Sequence, residues 1–417
     1  MSMIVEICQR AKLASVQMAK LSADQKNAAL HQMANALEAN VEEILAANCL
    51  DVNAAKVKNL KASLLDRLAL DQKKIQTMAK ELREVCTLSD PIGTILSSWT
   101  RPNGLIISQI RVPLGVVGVI YESRPNVTSD AAGLCIKAGN AVILRGGSDA
   151  LQSNLIIGKV LQEALSNTDV PKEAIQVVNS SERKDVEELM SMRQYIDVLV
   201  PRGGADLIKT VIEKAKIPVI ETGTGNCHIY IDEEADLEMA TPIIISAKIQ
   251  RPGVCNAVEK LLIHNKIAQT YIPKIVAELQ KNKVEIRGDQ KTCQIMMPEK
   301  IKTATEQDWH TEYLDLIIGI KVVENLTEAI THINKYGTKH SEAIITKNFT
   351  KATQFLQEID AAAVYWNAST RFTDGNQFGL GAEIGISTQK LHTRGPMSIQ
   401  NLTTTKYTIL GNGQNRN

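Results

Sequence analysis

The chain has 417 residues, a length typical of two or three domains. Hydrophobic residues make up 44% of it and charged residues 22%, which excludes wholesale disorder. The 47 basic and 46 acidic residues leave a net charge of +1, and aromatic residues are only 4%, so we expect neither nucleic acid nor an anionic membrane as a partner. No apolar run approaches the ~20 residues that cross a bilayer, and no signal-peptide stretch opens the chain, which predicts a cytoplasmic protein.

A helical block opens the chain and extends to about residue 88. Apolar residues recur there at three- and four-residue spacing, as at Met33, Leu37 and Val41. A proline and a glycine at 91–93 end the block. Between about 92 and 112, apolar stretches flank Asn103-Gly104, a dipeptide typical of hairpin turns, so we expect a β-hairpin in this segment.

From residue 115 onward, short continuous apolar runs alternate with helical patterns. The predicted strands lie at 115–120, 141–144, 175–178, 198–200 and 218–220, and the predicted helices at 129–138, 150–165, 182–192 and 205–216. Continuous apolar runs indicate strands that are buried on both faces, and a strand, a crossover helix and a second strand form the unit of a parallel sheet. This half of the chain is therefore predicted to be a doubly wound α/β domain.

A second α/β set begins near Asp236. Its predicted helices lie at 237–249, 267–279, 326–336 and 350–359, and its strands at 260–263, 317–323 and 342–346. The stretch 361–396 is glycine-rich and irregular, and 403–410 is strand-like. We divide the chain into a first domain over 1–235, a second over 236–365 and a terminal segment over 366–417.

Seven cysteines are spread along the chain without a C-x-x-C pair or a histidine at zinc-finger spacing, so disulfide and structural-zinc frameworks are both disfavoured. Cys255 differs in context from the other six because it follows Arg251, Pro252 and Gly253 on a predicted loop between a helix and a strand. A nearby cation favours the thiolate, which is the nucleophilic form. The alternative is a small buried structural cysteine, which fits the apolar surroundings of most of the others.

Polar residues follow several buried strands at the edge where α/β sheets bind ligands. Glu221 comes directly after the strand at 218–220, on a glycine-rich turn, and it is either a cleft carboxylate or a solvated loop residue. Arg145 ends another strand before two glycines and could bind a phosphate or a ribose. Gly203 and Gly204 open a helix whose amides could bind a phosphate, although each glycine pair is also compatible with a plain turn.

Motifs for other cofactors are missing. Neither G-x-G-x-x-G nor G-K-[ST] occurs in the chain, so the Rossmann fingerprint and the P-loop are both absent. The seven histidines form no H-x-x-x-H or H-E-x-x-H pattern, and His332 and His340 are too far apart for a local metal pair. We therefore predict no metal site.

Several stretches together resemble the aldehyde dehydrogenase superfamily and, within it, the γ-glutamyl phosphate reductase (glutamate-5-semialdehyde dehydrogenase) family. They occur in the expected order over nearly the whole chain. The matching stretches are VPLGVVGVIYESRPNV (112–127), ILRGGS (143–148), VPRGG (200–204), ETGTGNCH (221–228), AITHI (329–333), YGTKHSE (336–342), NASTRFTDG (367–375) and GAEIG (381–385).

The resemblance implies an aldehyde dehydrogenase-like α/β fold. A doubly wound, Rossmann-like NADP-binding domain would occupy 1–235, and an α/β catalytic domain with the cysteine would occupy 236–365. The segment 366–417 would supply a substrate loop and a tail, and this tail would form a small oligomerisation element with the 92–112 hairpin. A homo-oligomer is the expected assembly.

By the same resemblance, Cys255 is the nucleophile. Asn126 supplies the side-chain half of an oxyanion hole, and the backbone N–H of Cys255 supplies the other half. Glu221 occupies the general-base position of the superfamily.

For the cofactor, the resemblance implies NADPH. Arg145 and Ser148 would bind its adenosine end, Gly203 and Gly204 would form the phosphate turn, and Glu312 would hold the nicotinamide ribose.

The expected reaction is NADPH-dependent reduction of L-glutamate 5-phosphate to L-glutamate 5-semialdehyde and phosphate in proline biosynthesis, through a thioacyl intermediate on the cysteine. The product cyclises to 1-pyrroline-5-carboxylate. Because no kinase-like segment precedes the match, a separate glutamate kinase is the expected upstream partner. Two alternatives stay open, an NAD(P)-dependent aldehyde dehydrogenase that oxidises a small aldehyde, and a non-catalytic nucleotide-binding protein on the same fold.

The amino-acid end of the substrate needs a polar anchor away from the cysteine. Ser369, Thr370 and Arg371 offer two hydroxyls and a guanidinium in the region of the superfamily's substrate-anchoring loop. The alternative for Arg371 is a structural role, as a helix cap or as a partner of Asp374. The further candidates for substrate binding are Arg124 and Arg251.

Overall fold

The computed structural model describes residues 2–60, 62–299 and 301–416. Its helices are α1 (Met3–Met18), α2 (Ala23–Ala39), α3 (Val41–Val57), α4 (Ala62–Leu68), α5 (Gln72–Thr87), α6 (Asn126–Lys137), α7 (Leu151–Leu165), α8 (Arg183–Ser191), α9 (Ala205–Lys214), α10 (Leu237–Ile249), α11 (Asn265–Lys281), α12 (Gln290–Ile295), α13 (Glu306–His310), α14 (Leu326–Tyr336) and α15 (Phe349–Glu358).

The strands are β1 (Ile95–Thr100), β2 (Ile106–Pro113), β3 (Val116–Tyr121), β4 (Ala141–Arg145), β5 (Ile175–Val177), β6 (Val198–Arg202), β7 (Cys227–Ile231), β8 (Val258–His264), β9 (Glu285–Gly288), β10 (Lys302–Thr303), β11 (Ile317–Val323), β12 (Ser341–Ile345), β13 (Ala363–Trp366), β14 (Ile386–Ser387), β15 (Gly395–Pro396) and β16 (Thr403–Leu410). They belong to two compact units. Unit 1 comprises Met1–Thr222, Gly379–Gly385 and Met397–Asn417, and unit 2 comprises Gly223–Phe378 and Ile386–Pro396.

The helical block at the start of unit 1 forms where the periodicity predicted it. Ser22 begins α2 with a capping box, in which its hydroxyl accepts the Gln25 N–H at 3.3 Å and the Gln25 side chain accepts the Ser22 N–H at 2.8 Å. The apolar face of this helix, which includes Leu30, Met33 and Leu37, is fully buried in the unit 1 core. Tertiary packing of that face stabilises the helix more than its intrinsic propensity does.

The central sheet of unit 1 has the order β5-β4-β3-β6, and all of its strand pairs are parallel. All six residues of β3 are buried, as expected for a strand covered on both faces. The chain runs outward from β3 through β4 to β5 and then returns to place β6 on the other side of β3. The carboxyl ends of β3 and β6 therefore flank a switch point, where such sheets bind ligands. The predicted α/β fold class is confirmed.

The predicted hairpin is also present in unit 1. Strands β1 and β2 pair antiparallel, and the tail strand β16 pairs with β2 to complete a three-stranded sheet. The turn is closed by the Arg101 N–H, which donates to the Leu105 carbonyl at 2.8 Å, and Gly104 adopts φ +86° there. That left-handed conformation is the reason for a glycine at this position. The hairpin and the tail therefore belong to one sheet.

Unit 2 contains a seven-stranded sheet of order β10-β9-β11-β8-β7-β12-β13, with parallel pairing throughout. Strands β7, β8 and β12 are buried along their whole length. Helices α10 and α11 pack against this sheet, and their apolar residues share one core with it. Cys255 lies on the loop between α10 and β8, shortly before β8 enters this sheet.

Three predictions about the chain's organisation were wrong in detail. The boundary between the units lies at 222/223 and not at 235/236, because β7 was missed and pairs between β8 and β12 in unit 2. The segment 366–417 is not a separate element, since its parts belong to both units. The predicted strand at 218–220 makes only a single bridge, between Val219 and Leu199.

The stretch 361–396 is mostly irregular, as predicted, but it also contains β13 and the short β14–β15 pair. Among the described residues, no helix is both long enough and apolar enough to span a bilayer.

Candidate functional site

Cys255 lies in unit 2 on the turn between α10 and β8, where the Pro-Gly pair predicted a loop. It is half-buried. Of the other six cysteines, Cys8, Cys135 and Cys227 are buried. Burial raises the pKa of Cys8 to about 12 and that of Cys227 well above its ordinary value, so these thiols are poor sources of thiolate. The position of Cys255 on an accessible loop fits a chemical role better than a packing role.

Gly225 allows the closest approach in this site. A Cβ built on it would overlap the carbonyl group of Cys255 and lie only 2.7 Å from the Cys255 Cα. No side chain fits there. The Gly225 N–H donates to the Glu312 carboxylate at 2.6 Å. The glycine-rich segment after Glu221 therefore brings Glu312 close to the loop that carries Cys255, within unit 2.

Hydrogen bonds of Asn226 and Lys260 hold this glycine-rich segment in place. The Lys260 ammonium donates to the Asn226 side-chain oxygen at 2.8 Å and to the Thr311 carbonyl at 2.7 Å, and Asn226 donates to the carbonyls of Trp309 and Tyr336. Both side chains are buried, and burial lowers the pKa of Lys260 to about 8. No local pattern in the sequence indicated this pair, because its partners lie far apart along the chain.

Asn256, the residue after Cys255, connects the Cys255 loop to the predicted substrate loop. The buried Asn256 side chain donates to the carbonyls of Thr373 and Arg371, at 2.9 and 3.3 Å, and accepts a hydrogen bond from the Arg371 guanidinium. The Thr370 hydroxyl donates to the Asn256 carbonyl at 2.8 Å. Thr370 is buried and this hydroxyl bond fixes the loop, which favours a positioning role for it over direct substrate contact. No local signal in the sequence indicated Asn256.

A cavity of about 230 Å³ opens beside this connection. Its lining includes Ser369, Arg371 and Asp374 from the predicted substrate loop, together with Ser246, Gln250, Phe372 and Gln377. Burial lowers the pKa of the Arg371 guanidinium, and the positive charge of Arg251 lowers it further, whereas Cys255 and Asp374 raise it. Arg251 and Cys255 therefore both lie within electrostatic range of Arg371. The structure brings together the unit 2 residues that sequence analysis proposed separately.

In unit 1, Asn126 is the first residue of α6, shortly after the carboxyl end of β3. Its side-chain amide donates to Asp130 at 2.8 Å, so the orientation of the amide is set by a residue one turn along the helix. Burial and the negative charge of Glu81 raise the pKa of Asp130 to about 8. The Ser129 hydroxyl also donates to Asp130, at 3.3 Å. The family motif indicated Asn126, whereas no pattern in the sequence indicated Asp130.

Arg145 ends β4, as predicted. Its guanidinium donates to the Ser181 carbonyl at the long distance of 3.5 Å, and its buried Nε has no hydrogen-bond partner among the described residues. Burial lowers the pKa of this guanidinium, and Tyr121 and Asp185 partly oppose the shift. Ser148 is exposed on the turn that follows. A weakly engaged guanidinium beside an exposed hydroxyl fits an anionic ligand.

Gly203 and Gly204 form the turn before α9, but a protein carboxylate already lies against it. The Gly204 N–H donates to Glu122 at 2.9 Å, and a Cβ on Gly203 would lie 2.7 Å from the Glu122 carboxyl carbon. Glu122 follows β3, so the contact spans the switch point of the sheet. A helix N-terminus attracts negative charge, and here Glu122 provides it. Glu122 lies within a motif that matched the family, but it was not among the predicted site residues.

Two further candidates lie in unit 1. Glu221 is half-buried and follows the bridge at Val219, close to the chain's passage into unit 2. Arg124 is half-buried in the tight turn between β3 and α6, where its own N–H donates to the Glu122 carbonyl at 2.6 Å.

The ligand atoms of Asp232, Glu233 and His264 lie within 4.8 Å of one another, a spacing that could accommodate a cation. The Lys351 ammonium donates to Asp232 at 3.2 Å and to Glu233 at 2.8 Å. The Lys351 ammonium is thus the cation that the structure places against this cluster.

A sequence model described as the aldehyde dehydrogenase family matches residues 2–307. The γ-glutamyl phosphate reductase of Caldanaerobacter subterraneus subsp. tengcongensis is 58% identical over 415 residues, which are 99% of this chain and 100% of that protein. The γ-glutamyl phosphate reductase of Thermoanaerobacter pseudethanolicus is 56% identical over the same coverage.

Solved structures give the same result. The crystal structure of γ-glutamyl phosphate reductase from Thermotoga maritima superposes with a TM-score of 0.97 at 50% identity, and each chain is covered completely. An engineered glycolyl-CoA reductase with bound NADP+ has a TM-score of 0.71 at 17% identity, over 98% of this chain and 96% of that one, and shows likeness of fold alone.

Proposed function

The chain belongs to the aldehyde dehydrogenase family and, within it, to the γ-glutamyl phosphate reductases, and from this membership we propose that it reduces L-glutamate 5-phosphate to L-glutamate 5-semialdehyde and phosphate. The family and the aldehyde dehydrogenase-like fold that the motifs indicated are confirmed. The observation that carries the proposal is 58% identity over essentially the whole length of a reductase of this name. The product would cyclise to 1-pyrroline-5-carboxylate, a step of proline biosynthesis.

Cys255 is the proposed nucleophile. Its thiolate would attack the acyl carbon, a carbon–sulfur bond would form, and inorganic phosphate would leave with the bonding electrons of the acyl–oxygen bond. Arg251 and Arg371 act electrostatically on one another and on this loop, and positive charge nearby favours the thiolate. After reduction of the thioester, collapse of the tetrahedral adduct would release the aldehyde and regenerate the thiolate.

Asn126 is the proposed side-chain donor to the oxygen that becomes negative in this attack, with the Cys255 backbone N–H as the second donor. Its Nδ2 is an appropriate donor, and its bond to Asp130 fixes which side of the amide carries the hydrogens. Loss of one such donor typically costs 10²–10³ in kcat. The thioester is reduced and no water has to attack it, so the deacylating role of Glu221 is not required in this direction.

Members of the family use a nicotinamide cofactor, and we propose NADPH for this chain. Arg145 fits the adenosine 2′-phosphate because its guanidinium is only weakly engaged at the end of β4, with Ser148 beside it. Gly203 and Gly204 would bind the phosphates once Glu122 turns away, and Glu312 would hold the nicotinamide ribose. The cofactor, when bound, supplies the hydride that reduces the thioester.

The acyl phosphate is too reactive to accumulate, so we propose glutamate kinase as the enzyme that supplies it. We also propose a homo-oligomer built through the sheet of β1, β2 and β16, because this sheet carries exposed apolar side chains on all three strands. These include Ile95, Leu96, Trp99, Ile106, Tyr407, Ile409 and Leu410.

The test of the proposed function is the reverse reaction, in which the enzyme reduces NADP+ with glutamate 5-semialdehyde and phosphate. Cys255→Ser should lose at least about 10²-fold in kcat, the loss expected for a missing catalytic group, while NADPH binding persists. Cys293→Ser is the matched control, since this partly exposed thiol lies on α12, and it should keep full activity. Turnover without phosphate would support a hydrolytic aldehyde dehydrogenase instead.

A further inference from the structure

The cavity of about 230 Å³ in unit 2 contains two side chains of opposite charge, Arg371 and Asp374. Its size is below the range of about 300–1,000 Å³ that holds drug-sized ligands, so it suits a small molecule or one end of a longer one. The remaining lining is largely uncharged and polar, with two serines and two glutamines beside Phe372. The charge distribution is therefore that of a site with one positive and one negative pole.

The Arg371 guanidinium is held by neutral side chains. The hydrogen bonds of the Arg371 guanidinium in the described structure go to the side-chain oxygens of Asn256 and Gln250, and the one to Gln250 is 3.3 Å long. Both acceptors are neutral amides. Among the described residues, Arg371 has no ion pair with Asp374, which was the structural alternative considered from the sequence. Neither of these two hydrogen-bond acceptors carries a charge that would neutralise Arg371.

Asp374 is fixed by the backbone. One of its carboxylate oxygens accepts the N–H groups of Asn376 and Gln377, at 3.0 and 3.2 Å. This arrangement orients the carboxylate at the start of a turn and leaves its second oxygen uninvolved in these two bonds. A half-buried carboxylate and a half-buried guanidinium, both preorganised by neutral partners, bind a complementary pair of charges at low reorganisation cost.

Hydrogen bonds of Asn256 connect the cavity lining to the residue next to the proposed nucleophile. Asn256 directly follows Cys255, and it holds Arg371 through its side chain and the loop at 370–373 through three further hydrogen bonds. A ligand group bound at Arg371 is therefore positioned relative to the thiol by two consecutive residues, the half-buried Cys255 and the buried Asn256. Remote binding of this kind contributes to catalysis by aligning the reacting carbon.

We propose that Asp374 binds the α-ammonium group of the substrate while Arg371 binds its α-carboxylate, so that this cavity selects an α-amino acid end. Asp374 is then the residue that distinguishes the amino-acid substrate from the same chain without nitrogen. The inference rests on the proposed function, because it assigns the two ends of the glutamate-derived substrate to named side chains.

Three aldehydes in the reverse assay distinguish the contribution of the α-ammonium group from that of the α-carboxylate. Glutamate 5-semialdehyde carries both groups, 5-oxopentanoate lacks the ammonium, and 4-aminobutanal lacks the carboxylate. A hydrogen bond to a charged group corresponds to roughly a 10- to 100-fold effect on binding. We expect Asp374→Asn to lower kcat/KM by about that factor for glutamate 5-semialdehyde and to leave 5-oxopentanoate unchanged.

Arg371→Gln should show the complementary pattern. Its kcat/KM should fall for glutamate 5-semialdehyde and 5-oxopentanoate and stay constant for 4-aminobutanal. Asp374→Asn keeps a side-chain oxygen for the Asn376 and Gln377 N–H groups, so the turn should persist, and Asp374→Glu should restore part of the preference. The control is Glu358→Gln, at the end of α15, which should alter none of the three substrates.

The wild-type enzyme provides an independent check that needs no variant. It should prefer glutamate 5-semialdehyde to 5-oxopentanoate by at least 10-fold in kcat/KM, and equal values would overturn the assignment of Asp374. The assignment would also be overturned if Asp374→Asn lowered kcat/KM equally for glutamate 5-semialdehyde and 5-oxopentanoate, or for neither of them. If the wild-type enzyme instead shows no phosphate-dependent reduction of NADP+ with any of the three aldehydes, the proposed function itself is wrong. That result is distinct from an altered substrate preference, which would count against Asp374 alone.

Discussion

Replacing Gly225 by alanine tests whether the glycine-rich segment positions the nucleophile. A Cβ at this position would overlap the Cys255 carbonyl and lie 2.7 Å from the Cys255 Cα, whereas ordinary contacts begin near 3.4 Å. The obstacle is backbone and cannot rotate away, so the nucleophile loop or the segment at 223–226 has to move. Lys260 and Asn226 hold that segment through buried hydrogen bonds, which leaves the loop as the part that yields.

The displacement determines the expected loss. The Cys255 Cα has to move by about 0.7 Å to regain a 3.4 Å contact, and the carbonyl oxygen, which overlaps the new Cβ, has to move farther. A misplacement of about 1 Å costs roughly 10²-fold in rate. We therefore expect kcat to fall by about 10²-fold, equivalent to about 2.7 kcal/mol in activation free energy, with a smaller effect on cofactor binding.

The assay is phosphate-dependent NADP+ reduction, accompanied by the rate of thiol alkylation at Cys255 and by thermal unfolding. Gly288→Ala is the matched control, because its Cβ would also be crowded, at 2.7 Å from Ile301, but on β9 and against side chains that can adjust. That variant should lose stability and keep its kcat per folded molecule. If Gly225→Ala retained more than a tenth of wild-type kcat, the positioning argument would be refuted.

Three other predictions concern charge. Arg145→Leu should raise KM for NADPH far more than KM for NADH, and equal increases in the two steady-state values would place Arg145 away from the 2′-phosphate. The pKa of Asp130, about 8 in the folded protein against about 3.9 unfolded, makes the folded state bind the extra proton, so this group's contribution to stability is full below about pH 4 and is lost as pH rises through 8. Asp130→Asn should remove that decline, and parallel urea-unfolding curves against pH for both proteins would contradict it. Lys248 and Glu259 form a fully buried ion pair at 3.2 Å, so Lys248→Met alone should cost about 3–5 kcal/mol of unfolding free energy while Lys248→Met/Glu259→Leu recovers most of it; similar denaturation midpoints for the single and double variants would argue against the pair.

Local patterns were sufficient for most of the secondary structure. The helical block before residue 88, the Asn103-Gly104 hairpin and the continuous apolar strands all appear because each depends on periodicity or turn chemistry within a few residues. Strand β7 was not predicted, because it depends on a contact between residues that are distant in the sequence. It begins with a cysteine and a histidine, and His228 is tolerated in the sheet because Glu342, 114 residues later, accepts its backbone N–H at 2.6 Å and lies 3.1 Å from its ring Nδ1.

The same division applies to the candidate site. The sequence by itself determined that Cys255 lies on a loop, because Pro252 and Gly253 force one, and its motifs determined the family. Only the tertiary structure decided which residues surround that loop. Gly225 meets Glu312 across 87 positions, Asn256 meets Arg371 across 115, and Glu122 meets Gly204 across 82. Such contacts depend on the order of strands in the sheets, since neighbouring strand ends bring together loops that no local pattern relates.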